Sequence, residues 1–152
     1  MKNRSRILTA SLIALILTLS IVVVAQVSRP YRNGSVWNIG FISMKPGMET
    51  AYLNYVAGDW KREQEALKKD GQIISYKVLQ TEPHSPTDFN LMLMTEYKDL
   101  ATYERNLEKA DALLQTVIGN DEKQRQGYRE RLEIREVLQD RMAREIILEP
   151  KR

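Results

Sequence analysis

The sequence predicts an α+β fold built on a four-stranded sheet. Three observations lead there. A strand apolar on both faces, Val36 to Lys45, runs straight into a long amphipathic helix. Two strand-like segments follow, at about Gln72 to Gln80 and Phe89 to Tyr97. After a second helical stretch, the chain closes on an alternating segment, about Val137 to Glu149.

In the first strand Trp37, Ile39 and Phe41 point one way, while Val36, Ile42 and Met44 point the other. A strand apolar on both sides is expected at the centre of a sheet. Pro46-Gly47 breaks it, because proline lacks the ladder N–H and glycine permits the turn. From Met48 the period becomes helical. Tyr52, Val56, Trp60 and Leu67 make an apolar stripe, widened by Leu53 and Ala57, with Glu63 falling between the last two. Lys68 and Lys69 suit the helix C-terminus, and Gly71 supplies a left-handed stop.

The second strand sets Ile74, Tyr76 and Val78 against a more polar face of Ile73, Ser75, Lys77 and Leu79, as an edge strand tolerates. Thr81 to Asp88 carries two prolines and reads as a loop. In the third strand Phe89, Leu91, Leu93 and Tyr97 line one face, with Met92 and Met94 on the other, which again predicts a central position. Asp99 is the expected N-cap of a helix carrying Leu100, Tyr103 and Leu107 and continuing through Leu113, Leu114, Val117 and Ile118. Gly119-Asn120 ends it. Asp121 with Gln124 resembles a capping box for one more helix, reaching about Arg135, whose mixed charges read as a solvated face. In the last segment Leu138, Met142, Ile146 and Leu148 alternate with Gln139, Arg141, Ala143 and Glu145, and Pro150 ends it.

The order is βαββαβ with an extra helix before the last strand, the ferredoxin-like split arrangement. Helices on one side of four strands leave the other side bare. Val36, Ile42, Met44, Met92 and Met94, or their opposite-face neighbours, are expected there. A bare apolar face should meet a second sheet, so a homodimer through the sheet faces is expected.

Upstream of this domain (36–149), residues 1–25 read as an export signal. Lys2, Arg4 and Arg6 precede an uncharged apolar run from Ile7, and Val23-Val24-Ala25 fits the cleavage pattern. The competing reading is an uncleaved anchor, since Ile7 to Ala25 nearly suffices to span a bilayer. The first reading makes the protein periplasmic or secreted; the second anchors it in the membrane facing outward. Gln26 to Ser35 reads as a polar linker.

Removing the three N-terminal cations from the 23 basic residues leaves 20 against 20 acidic ones, so no nucleic-acid footprint remains. The absence of cysteine excludes disulfides, thiolate metal sites and cysteine nucleophiles. A domain of this size can still bury enough surface to fold unaided.

The paired features Lys45-Pro46-Gly47, the long helix with Trp60, Asp88-Phe89-Asn90 and Glu96-Tyr97-Lys98-Asp99-Leu100, together with the closing charged helix-to-strand segment, resemble the dimeric α+β barrel superfamily. That group includes the antibiotic-biosynthesis monooxygenases and many small exported bacterial proteins of unassigned role. The resemblance covers about Val36 to Glu149. It implies a homodimer whose two sheets close into a barrel, with a pocket in each subunit between sheet and helices. It does not by itself imply an activity.

His84, the only histidine, lies in the proline-rich loop and reads as an exposed loop residue. Asp88, four residues on, is the group that could orient it for acid–base work. No second histidine completes a metal site, and no metal or cofactor is expected. Trp37 and Trp60 read first as core aromatics. The functional alternative makes Trp60 a pocket wall for a small apolar or aromatic ligand, with Asn38, Asn54, Tyr76, Asn90 and Tyr97 orienting it. Relatives in the resembling group that degrade haem need an axial histidine on the second helix, and Asp99 to Arg135 holds none. Glu63 and Glu65 stand two apart on a helix and face different directions, so they do not form a catalytic pair.

Two function classes follow. One is an exported homodimeric binding or structural module. The other is a cofactor-independent monooxygenase or isomerase acting on a small aromatic or quinone-like compound. They differ in whether the pocket beside Trp60 is open and lined by polar groups or filled by side chains.

Overall fold

The computed structural model describes residues 29–85 and 87–149; the expected signal segment, 1–25, and the first residues of the expected linker lie outside them. The elements are β1 (Tyr31–Met44), α1 (Glu49–Tyr55), a π-helical turn (Val56–Trp60), α2 (Lys61–Lys69), β2 (Ser75–Gln80), β3 (Leu91–Tyr97), α3 (Leu100–Arg105), α4 (Leu107–Val117), α5 (Asp121–Leu132) and β4 (Arg135–Leu148). The strands lie in the order β2-β3-β1-β4, and every neighbouring pair is antiparallel. That order, with helices crossing between β1 and β2 and between β3 and β4, makes the chain a ferredoxin-like α+β fold. As the two-sided apolar patterns require, β1 and β3 are central and β2 is an edge.

The turn after β1 is closed by the Met48 amide donating to the Lys45 carbonyl at 2.9 Å, with Gly47 at φ +79°. The helix from 49 to 69 runs on through the π turn, where the Lys61 N–H reaches back to the Val56 carbonyl. Tyr52, Val56, Trp60 and Gln64 recur every fourth residue, a spacing that drifts by about 40° per step around an α-helix. One wider turn absorbs part of that drift and keeps all four buried against the sheet. At its end Gln72 N–H bonds the Leu67 carbonyl and Gly71 N–H that of Lys68, with Gly71 at φ +74°. Those two bonds are the Schellman stop.

The core lies between this helix and one face of the sheet. It is formed by Ile42, Met44, Tyr52, Val56, Trp60 and Leu91, with Leu53, Tyr55, Tyr76, Leu93 and Ile134 around them. Register assigns the faces, because directly opposed residues share one. Val36, Ile42 and Met44 pair with Tyr97, Leu91 and Arg135 on the helix side. Ile39 and Phe41 pair with Met94 and Met92 on the other.

Of the two bare faces the alternation leaves open, the structure selects the one opposite Val36, Ile42 and Met44 on β1, joined by Met92 and Met94 on β3. Those three β1 residues are buried beneath the helix, and their alternates Trp37, Ile39 and Phe41 lie beside Met92, Met94 and Leu79 on the uncovered side. All six stay partly exposed there. Period-two alternation separates two faces but cannot say which one a helix will choose.

Three boundaries also move. Strand β1 begins at Tyr31, inside the stretch expected as linker, because β4 offers it an edge as far as Leu148 (Tyr31 opposite Leu148, Arg32 opposite Ile147). Beyond Val36, where β3 ends, these two strands continue as a ribbon with a bulge at Gly34-Ser35. The second helical stretch divides at Asn106 into α3 and α4, with Asp99 capping α3 as expected through the Thr102 amide at 2.6 Å. The cap of α5 is Asn120 rather than Asp121: its Oδ1 accepts from Lys123 N, while the Gln124 side chain donates to the Gly119 carbonyl. No side chain of α3, α4 or α5 is buried, in keeping with the solvated face read from α5's charges.

Candidate functional site

Of the residues expected to hold a ligand, the fold brings together Trp60 and Tyr76. The Trp60 indole is 8% exposed and meets Tyr76 edge-to-face, centroids 5.5 Å apart. Between them and the edge strand β2 runs a groove of about 470 Å³ walled by Leu53, Val56, Ala57 and Val78, with Lys61 at its rim. The tyrosine's hydroxyl donates outward to Glu65, which holds its pKa above the usual phenol range. The space beside Trp60 is thus an open apolar trough, and the indole itself is packed into the core.

The other expected polar groups lie elsewhere. Asn38 sits on β1 between Thr95 and Met142. Asn54 is exposed on α1. Tyr97 packs edge-to-face on Tyr103, and burial first, then Tyr103 and Asp140, push its phenol up to about 12. Asn90 is a backbone clamp: its Oδ1 accepts from Met44 N at 2.8 Å and its Nδ2 donates to Met44 O at 3.2 Å. Asp88 accepts from the backbone N–H of His84, not from its ring, and from Phe89 N, so it shapes the loop. A small hollow of about 190 Å³ beside that loop is lined by Asp88 and Asn90 but not by His84, which is exposed.

A second cleft, of about 550 Å³, opens on the other flank of the long helix, facing α5 and the end of α4. Tyr55, Asp59 and Glu63 contribute one stripe from the helix; Gly127, Tyr128 and Arg131 contribute another from α5; Leu114 and Ile118 form the apolar end. The Arg131 guanidinium lies 4.3 Å over the Tyr55 ring. Burial pushes the Glu63 carboxyl up to about 7; Asp59 adds to this, and Arg131 and Arg62 pull it back. Burial, with Glu63 adding, also raises the Tyr55 phenol.

No motif in the sequence marks this cleft. Glu63 and Glu65 point apart, as their spacing of two predicts: Glu63 is half-buried in the cleft, Glu65 exposed beside Tyr76. The available signal was the four-residue spacing of Tyr55, Asp59 and Glu63, a polar stripe next to the apolar one.

Among the described residues, no three His, Cys, Asp or Glu side chains are grouped to hold a metal, and no helix is long and apolar enough to cross a membrane. No protein-family model matches the chain, nor does any curated sequence. Among solved structures the chain is similar to MupZ from Pseudomonas fluorescens, at 11% identity over 72% of this chain and 71% of that one, with a TM-score of 0.44. It is also similar to two dimeric ferredoxin-like proteins from an uncultured marine organism. One covers 78% of this chain and 91% of its own at 9% identity and TM-score 0.48. The other covers 80% and 99% at 17% identity and TM-score 0.40. These likenesses stand beside the fold assignment, which rests on the strand order and the uniformly antiparallel pairing.

Proposed function

We propose that this protein is an exported homodimeric binding module, its subunits joined through their sheet faces and a small apolar or aromatic ligand held in the groove beside Trp60. The uncovered band of Trp37, Ile39, Phe41, Met92, Met94 and Leu79 carries this reading. Phe89 extends it, edge-to-face on Phe41 at 4.8 Å, and the Lys77 ammonium lies 5.1 Å over the Trp37 ring at its margin. Six adjacent apolar side chains are a costly surface for a solvated monomer, and a second copy of the same sheet is the complementary cover. The trough beside Trp60 favours binding over catalysis, because Asn38, Asn54, Asn90 and Tyr97 do not converge on it. Export is supported by the basic start and by Val23-Val24-Ala25.

Sedimentation velocity of the exported protein at micromolar concentration tests the assembly. A dimer is expected, and Phe41→Glu, which places a charge in the middle of the band, should give a folded monomer. A wild-type chain that sediments as a stable, non-aggregating monomer removes the reading. Intact-mass measurement tests export separately: the expected chain begins at Gln26, whereas Met1 retained in the membrane fraction decides for an anchor.

A further inference from the structure

We propose that the cleft between the long helix and α5 is a second binding site, for a small organic monocarboxylate whose carboxylate lies between Arg131 and the Glu63 carboxyl group and whose apolar body rests on Leu114 and Ile118. Its volume of about 550 Å³ falls within the range of small-molecule sites. It lies on the opposite flank of the helix from the Trp60 groove and shares no lining residue with it.

The inner wall carries one guanidinium that its neighbours leave partly unsatisfied. Arg131, which lines the cleft, has its Nε buried without a hydrogen-bond acceptor, whereas Arg135, 5% exposed, is buried beside Tyr52 and Tyr128 and does not line the cleft. Aromatic faces hold the two guanidinium groups in place: Arg131 lies over Tyr55, and Arg135 over Tyr128 and, at 5.9 Å, Tyr52. Among the described residues neither arginine forms a salt bridge, whereas the acids and bases at the rim are largely matched. Asp59 pairs with Arg62, and Arg125 and Arg129 both pair with Glu122. Glu130 accepts from Gln126, and Lys123 stands at the mouth. A guanidinium stacked on a ring through its face keeps its N–H edges free for an in-plane acceptor, and a carboxylate fits that fork.

Gly127 supports the same assignment. It sits inside α5, where glycine is disfavoured relative to alanine. A Cβ at that position would come within 3.0 Å of Arg131 Nη1, so the missing side chain spares the guanidinium a shift of a few tenths of an ångström.

Glu63 selects the charge of the ligand. It faces Arg131 from α5 and Tyr55, Asp59 and Arg62 on its own helix, while Leu114 of α4 and Ile118 just beyond it bring no charge. With its carboxyl raised to about 7, Glu63 can donate a hydrogen bond to a bound carboxylate in mildly acidic solution. Once ionised, it repels the ligand. Inorganic phosphate, mostly a monoanion at pH 6, is strongly hydrated and has no apolar body to rest on Leu114 and Ile118, so an organic monoanion is the better fit.

Calorimetric titration of the exported protein with benzoate tests this. One benzoate per chain is expected, bound about tenfold more tightly at pH 6 than at pH 8, as protonation of a group near 7 requires. Binding should take up a proton, read as a heat that varies with the buffer's ionisation enthalpy. Arg131→Met should abolish binding, and Glu63→Gln should remove the difference between the two pH values. Absence of benzoate binding at millimolar concentration and pH 6 would overturn the proposal. So would retained binding in Arg131→Met, a pH-independent affinity in the wild type, or tighter binding of inorganic phosphate than of benzoate. None of these outcomes bears on dimerisation or on the Trp60 groove.

Discussion

Gln64 and Thr95 meet in the core between helix and sheet: the threonine hydroxyl donates to Gln64 Oε1 at 2.9 Å, and both residues are buried. A hydrogen bond between two otherwise apolar layers fixes where the helix sits along β3, since sliding it by one residue would orphan both groups. Thr95→Val or Gln64→Met alone should cost about 1–3 kcal/mol, because each strands a buried partner. The double variant should cost less than the sum. A urea-denaturation cycle showing additivity would mean that the bond positions nothing.

Trp60 separates core from pocket wall. With the indole buried against Tyr76 and the sheet, Trp60→Ala should lower stability by about 3–5 kcal/mol, the range for losing a large buried aromatic. A loss below about 1 kcal/mol, with any ligand-dependent shift in Tm abolished, would instead make it a ligand contact.

The raised Glu63 carboxyl makes stability depend on pH. The folded state holds this proton up to about pH 7 and the unfolded chain releases it near 4.5, so the folded form loses stability as pH rises through that window. The full shift is equivalent to about 3 kcal/mol, and partial exposure of the carboxyl reduces this to about 1–2. Glu63→Gln should therefore be more stable than wild type at pH 8 by that amount and should flatten the profile between pH 4.5 and 7. Thermal melts across this range check it, and parallel wild-type and variant profiles would contradict it.

Asn90 is expected near a ligand and His84 as an exposed loop residue with Asp88 as its candidate orienting partner, and the structure gives the two side chains different weights. Asn90→Ala breaks two bonds to the Met44 backbone and should cost about 1–3 kcal/mol whether or not ligand is present. His84→Ala, at an exposed loop position, should stay within about 0.5 kcal/mol of wild type. Chemical denaturation of the two variants side by side distinguishes a clamp from a surface residue.

What could be read from the chain alone is what local chemistry dictates. Pro46-Gly47 and Gly71 place the turn and the helix stop, Asp99 caps its helix, and the spacing of Tyr52, Val56, Trp60 and Leu67 defines the buried stripe. The two-sided apolar patterns put β1 and β3 at the centre, and four strands with their helices then allow few topologies. Three things needed the tertiary structure. The helix covers Ile42 and Met44 rather than Phe41 and Ile39, a choice between two apolar faces that alternation leaves undecided. Polar Tyr31–Ser35 became strand because backbone pairing with β4 requires no apolar side chain. The cleft of Tyr55, Glu63 and Arg131 joins residues up to 76 positions apart on two separate helices. Its unusual carboxyl exists only because packing removes water from a side chain that, on the isolated helix, would be one more solvated glutamate.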